Sequence, residues 1–219
     1  MQAHPEVTVG FSDHYIIDGD GQINWEETKY FEVLFHRNEI SEGIHRPFYR
    51  IALDFDAILP VSIAVYRRAI FVDATFPLEI ESVYDRWFAY LACREGAGVY
   101  YIPEKLASYR CHLGADRVAI NNQIEKSLWF SLGMTHYYSQ LLADKKVSEV
   151  WPTLRNRVNI SQTNAGILQL EEGNIHEARR NLKEALCHRK ALRSYAALCL
   201  SYLPKPLIPP LVRFARRAV

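Results

Sequence analysis

The chain has 219 residues, 49% of them hydrophobic and 23% charged, enough for one large domain or a domain with a smaller appendage and too apolar for intrinsic disorder. The formal net charge of +1 conceals an asymmetry: from residue 175 onward ten Lys/Arg face two Asp/Glu, a local +8 that leaves −7 for residues 1–174. The longest apolar run, 58–66 (ILPVSIAVY), is about half of the roughly 20 residues a membrane-crossing helix needs. The opening MQAHPEVTVG has neither the cationic start nor the apolar stretch of a secretory signal. A cytoplasmic protein is expected, with its basic tail in peripheral contact with the inner face of the membrane and no nucleic acid as partner. Cys93, Cys111, Cys187 and Cys199 stand far apart with no C-x-x-C pair, so four free, buried thiols are expected rather than a zinc site.

In chain order, residues 7–11 (VTVGF) predict a short strand, and HYIIDGDGQI after it an extended pair around a Gly/Asp turn. Residues 25–50 read as helix and loop. The apolar stretch 57–66, with Pro60 inside it, predicts a strand buried on both faces, and Arg67 and Arg68 open a short helix. Residues 77–96 carry the strongest helical signal of the first half: Ile80, Val83, Trp87, Tyr90 and Leu91 recur at three- and four-residue steps, and Gly96 and Gly98 end it. Residues 99–102 predict a strand closed by Pro103, and 106–111 another. From Ala119 onward only helices are predicted. The fold class is therefore α/β over residues 1–115, followed by a helical extension over 116–219.

Within the extension, Gly166, Gly173, Ala178, Leu182 and Ala185 resemble one tetratricopeptide repeat: small residues where helices approach, a turn, then an inner apolar face. One repeat cannot bury its own face. The expectation is a helical hairpin, about 161–187, packed on the preceding domain, and secondarily a surface for binding peptides.

The segment DGDGQINWEE, 18–27, raises a calcium-binding alternative. With Gly21 as the turn glycine, Asp18, Asp20 and Glu27 occupy positions three, five and twelve of an EF-hand loop. Position one would be Ile16, which offers no oxygen, and VTVGFSDHYII precedes it where a helix is required. Asp18-Gly19-Asp20 also forms a D-x-D, the cation-holding pattern of many nucleotide-sugar enzymes. A tight turn selects the same residues, and the turn is the reading adopted.

Four segments then follow in order: HPEVTVGFSDHYIIDGDGQI, LPVSIAVYRRAIF, SVYDRWFAYLA and VYYIPEKLASYRCH. Over residues 3–112 they resemble the second half of family 2 glycosyltransferases of the GT-A type. The resemblance implies a partial GT-A, Rossmann-like domain whose amino-terminal, nucleotide-binding half is absent, since Met1 stands three residues ahead of His4. It implies transfer of a sugar, with inversion, from a nucleotide diphosphate sugar to a saccharide or lipid-linked acceptor. The divalent cation, manganese or magnesium, belongs with the absent half, so no metal ligands are assigned here.

Asp85, in Val83-Tyr84-Asp85-Arg86-Trp87, matches the acidic residue at a helix start that resembles the general base of inverting members. A carboxylate held there can deprotonate an alcohol as it attacks the anomeric carbon. The family often has two acidic residues at this point, where this chain has Tyr84 before Asp85. The alternative is a helix-start residue paired with Arg86 or Arg110. Arg110 and His112 match a YRxH segment that resembles a diphosphate or metal contact. Trp87, Tyr84 and the strand ending at Tyr66 look like the acceptor side. A non-catalytic helical interaction module on a relic α/β domain is the competing class.

Overall fold

The computed structural model describes residues 3–111 and 123–217; the expected boundary near residue 115 lies outside them. The protein is mixed α/β. Its described residues form two compact units, one of 3–78, 83–111 and 144–150, the other of 79–82, 123–143 and 151–217.

The first unit holds β1 (Val7–Ile17), α1 (Trp25–Leu34), β2 (Gly43–His45), β3 (Ala64–Tyr66), α2 (Tyr84–Cys93) and β4 (Gly98–Arg110). Its sheet has the order β2-β4-β1-β3. The two long strands, β1 and β4, run parallel at the centre, and the three-residue strands lie antiparallel on the edges. Val7, Val9 and Phe11 alternate into the core at 0–2% exposure, and Phe11 meets Tyr101 with ring centres 4.7 Å apart.

Three expectations change here. Residues 99–102 and 106–111 are one strand, because Pro103 is absorbed where the register slips: Ser12 faces Ile102 but Asp13 faces Lys105 and His14 faces Ala107. A bulge of this kind spares Pro103 a ladder hydrogen bond and turns Lys105 toward β1. The strand expected over 57–66 shrinks to Ala64–Tyr66 on the sheet edge, with Val65 68% exposed. Ala57, Ile58 and Leu59 are buried without strand partners; the carbonyls of Ala57 and Leu59 accept hydrogen bonds from Arg37 instead. The helix expected from Pro77 begins at Tyr84, after a 3-10 stretch over Leu78–Val83.

A buried ionic cluster sits beside the bulge. Arg37, 1% exposed, follows His36, whose φ of 53° turns the chain out of α1. Its guanidinium donates to Asp13 Oδ1 at 3.0 Å, His14 Nδ1 at 2.6 Å and Ala57 O at 2.9 Å, and to Leu59 O. Lys105 completes the cluster at 3.0 Å from Asp13 Oδ2. Because Nδ1 accepts from Arg37, the imidazole proton sits on Nε2, a buried atom with no hydrogen-bond partner among the described residues.

The second unit holds α3 (Ile124–Ala143), α4 (Trp151–Glu171), α5 (Ile175–His188), α6 (Leu192–Leu200) and α7 (Ile208–Arg217). Gly166 lets α4 and α5 approach: a Cβ there would lie 2.6 Å from Leu182 Cγ. Gly173, at φ 84°, makes the turn between them. Central α4 is buried on apolar and polar sides alike. Its Asn159 donates to Ala185 O at 2.8 Å and Arg189 O at 2.9 Å, satisfying carbonyls at the end of α5, and Thr163 meets Ser194 at 2.6 Å. The apolar core joins Leu170, Ala178 and Leu182 to Ala197, Ile208 and Val212. All four cysteines are free, but only Cys93 is buried; Cys111 is half-buried, and Cys187 and Cys199 lie on outward helix faces, against the expectation that all four are inside.

Two measurements check this packing. Burial, then the Arg37 charge, lowers the His14 pKa from 6.5 to about 4, with Lys105 adding to the fall and Asp13 opposing it. Between pH 6.5 and about 4 the unfolded chain binds a proton at His14 that the folded chain does not, so stability falls as pH falls through that window. At about 1.4 kcal/mol per pH unit the loss approaches about 3 kcal/mol. His14→Gln is expected to flatten that arm of a denaturation-derived stability profile; an unchanged slope would remove His14 as its source. Gly166→Ala gains about 1 kcal/mol of helix propensity and forces an overpacked contact costing about 1–3 kcal/mol, so a net loss is expected in the urea midpoint.

Candidate functional site

The turn after β1 shows what its aspartates do. Asp18 Oδ1 accepts from the backbone N–H of Asp20 at 2.9 Å and of Gln22 at 2.8 Å, while Gly21 takes φ 86°. This is the Asx geometry that selects Asp and Gly for turns. Asn24 caps α1 by accepting from Glu27 N at 3.0 Å. The element entering the turn is a strand, where an EF-hand loop needs a helix. Arg110 Nη1 donates to Asp18 O at 3.0 Å and Gly19 O at 2.6 Å, holding the turn against the end of β4. Those bonds account for an arginine at this position without a diphosphate. His112 lies outside the described residues.

Asp85 stands in the first turn of α2, half-buried, its Oδ1 accepting from Arg86 N at 2.9 Å. Burial pushes its pKa up, and the negative Asp56 adds to the rise; the Arg86 charge and amide oppose both. Asp56, 9% exposed and at φ 52°, faces Arg86 Nη2 at 3.4 Å. The helix-start alternative paired Asp85 with Arg86 or Arg110. Here the Arg86 guanidinium turns to Asp56, and Arg110 to the 18–19 carbonyls. Tyr66, on β3, is the third member of the group. Burial and the negative field of Asp85 raise its pKa, and its buried hydroxyl has no hydrogen-bond partner among the described residues.

Aromatic rings gather around Phe88, three residues after Asp85 on α2. Phe88 lies 5.8 Å from Tyr66, 4.8 Å from Phe71, 5.3 Å from Phe76 and 6.2 Å from Tyr84, centre to centre. Tyr84 and Phe76 are 53% and 44% exposed, so the group opens to solvent through rings. Trp87 points the other way: it is 6% exposed, packs on Tyr90 at 4.7 Å and donates its indole N–H to Thr75 O at 2.8 Å. Of the expected site residues, the fold thus brings Asp85, Tyr84 and Tyr66 to one aromatic-walled group and turns Trp87 into the core. Asp56 was not singled out from the sequence. Its signal is weak: the second of two Asp in the apolar run ALDFDAIL, a residue type that tolerates positive φ better than most.

A separate groove of about 300 Å³ on the sheet face is lined by Phe11, Ser12, Ile63, Val65, Ile102 and Leu106 and carries no titratable group. Among the described residues no three His, Cys, Asp or Glu side chains converge as metal ligands. No helix is long and apolar enough to cross a membrane among the described residues. No family model, no curated protein and no solved structure matches the chain.

The Tyr66 hydroxyl provides a test of this arrangement. A buried hydroxyl without a partner costs desolvation and returns no hydrogen bond. Tyr66→Phe is therefore expected to leave stability unchanged or raise it by up to about 1 kcal/mol in chemical denaturation. A loss above about 1 kcal/mol would mean that the hydroxyl is hydrogen-bonded after all.

Proposed function

We propose that residues 1–115 form the acceptor-binding, base-bearing half of an inverting glycosyltransferase of the GT-A type. The observation that carries the reading is the half-buried Asp85, a carboxylate with a raised pKa in the first turn of α2, whose charge reaches the Tyr66 hydroxyl and which stands three residues before Phe88 and its cluster of rings. A base works best when its pKa moves toward the working pH, and burial moves Asp85 in that direction. The aromatic rings suit the apolar faces of a saccharide. In this reading Asp85 takes the proton from the acceptor hydroxyl as that oxygen bonds to the anomeric carbon. The bond from that carbon to the nucleoside diphosphate breaks on the opposite side, which gives inversion. The divalent cation belongs with the nucleotide-binding half, Arg110 and His112 are the residues of this chain that the resemblance sets toward diphosphate or metal, and the acceptor is a saccharide or lipid-linked hydroxyl.

A second reading, a helical interaction module, is favoured by one feature of the second unit. A groove of about 200 Å³ between α3 and α4 is lined by Phe130, Met134, Tyr138, Arg157, Ile160 and Asn164, the kind of apolar slot with a few polar groups that receives a peptide.

The transferase reading is tested at Asp85. With the nucleotide-binding half supplied by a longer chain or a second protein, Asp85→Asn keeps the shape and cannot take a proton, so turnover in the transfer reaction is expected to fall about 10²–10⁴-fold with acceptor binding, read by ligand-observed NMR, unchanged. Burial disfavours the ionised form, and Asn serves helix starts nearly as well as Asp, so the substitution is expected to cost at most about 1 kcal/mol of stability. Transfer within about threefold of the parent removes Asp85 from the mechanism. Absence of any saturable saccharide binding to the parent chain removes the acceptor site itself.

A further inference from the structure

The last 35 residues, 185–219, contain seven Lys/Arg and no Asp/Glu. Their described part also exposes apolar side chains in rows. On α6, Leu192, Tyr195, Ala196 and Cys199 recur at three- and four-residue steps and are all exposed, Leu192 at 85%. Beyond α6, Tyr202, Leu203, Leu207 and Leu211 are also exposed, at 60%, 39%, 52% and 42%. These segments are anchored. Ser194, Ala197, Ser201, Ile208 and Val212, interleaved with the exposed residues, are 0–4% exposed, and three of them belong to the apolar core of the second unit. Exposed cations alternate with the row: Arg193, Lys205 and Arg213, the last also 3.7 Å from Glu171. The Arg179 guanidinium lies 4.2 Å from the centre of the Tyr202 ring.

We propose that this face, residues 192–213, docks on an anionic lipid surface. Each class of residue then has a place. The leucines enter the boundary between headgroups and acyl chains, the tyrosines sit at headgroup level with their hydroxyls in water, and Lys and Arg reach lipid phosphates along flexible stems. Charge selects the occupant. A second copy stacked on the same row would set Arg193, Lys205 and Arg213 against their own copies with no carboxylate within 192–213 to pair with them, whereas a phosphate-rich surface complements them. The surface is interfacial and not spanning, in keeping with the lengths of α6 and α7, nine and ten residues. The inference stands independently of Asp85: it places the chain at a membrane whatever reaction it serves.

Flotation of the full chain with vesicles tests it. Binding to phosphatidylcholine vesicles containing phosphatidylglycerol is expected to exceed binding to phosphatidylcholine alone about tenfold or more. The difference should collapse in ~1 M sodium chloride, where charges are screened beyond about 3 Å. Leu207→Glu with Leu211→Glu alters two exposed positions, and its thermal melt should match the parent while vesicle binding falls about tenfold. Should that variant fail to fold, Arg193→Glu with Lys205→Glu reads the same surface through charge alone. Equal binding to both vesicles, or variant binding within about twofold of the parent, overturns the proposal. Binding to neither vesicle overturns it and leaves the row to an acidic protein partner. Self-association in sedimentation equilibrium that the leucine variant abolishes assigns the row to a second copy and likewise overturns it.

Discussion

One buried guanidinium holds the first unit together. Arg37 donates to a side chain pair on β1, Asp13 and His14, and to two carbonyls of the coil at 57–59. A buried charge is tolerable only when paired and hydrogen-bonded, and removal of a partner from such a pair costs about 3–5 kcal/mol. The coil carrying Ala57 and Leu59 has no strand neighbour of its own, so its carbonyls depend on that arginine. Asp13 in turn needs Lys105, which the bulge in β4 aims at it. The exit from α1, the middle of β1, the buried coil and the kink in β4 are thus fixed by a single set of mutually dependent contacts.

The candidate site inherits its position from this arrangement. Asp56 directly precedes the buried coil, and the coil leads into the short edge strand that ends at Tyr66, so a coil held in place by Arg37 also sets where those two side chains stand. The opposing group comes from α2, whose start at Tyr84 places Asp85 in the first turn. A helix terminus favours a negative charge, yet burial is the larger influence here and the Asp85 pKa rises. The balance leaves a carboxylate that is stabilised enough to exist and desolvated enough to be basic. The neighbouring Arg86 charge opposes that rise without cancelling it, while its guanidinium also reaches Asp56.

In the second unit, stability and exposure are divided along the same helices. Polar side chains of α4 satisfy the carbonyl end of α5, and Gly166 permits the approach that makes this reach possible. With the hairpin closed by these contacts, α6 and α7 contribute one side to the core and leave the other as an apolar row among cations. An exposed apolar row anchored this firmly is a feature of the folded state, not of a loose end.

The sequence by itself determined the local features. Periodicity at Ile80, Val83, Trp87, Tyr90 and Leu91 identified a buried helical face, Asp18 and Gly21 announced their turn, and the charge imbalance after residue 175 was countable. Those signals are local: turn chemistry and helical repeats act over a few residues, and every participant is a near neighbour in the chain. Tertiary structure alone decided that residues 57–59 are buried without being a strand, since their hydrogen-bond donor is Arg37, some twenty residues earlier. It also decided that Pro103 sits inside a strand, because the slip in register is defined by β1, and that Trp87 serves the core while Phe88 gathers four rings around itself. Asp56 and Tyr66 join Asp85 through long-range contacts that leave no repeat or spacing in the chain. The reason is physical: burial, field and hydrogen-bond partnership at each of these residues come from atoms distant in sequence, and only the folded chain brings those atoms within reach.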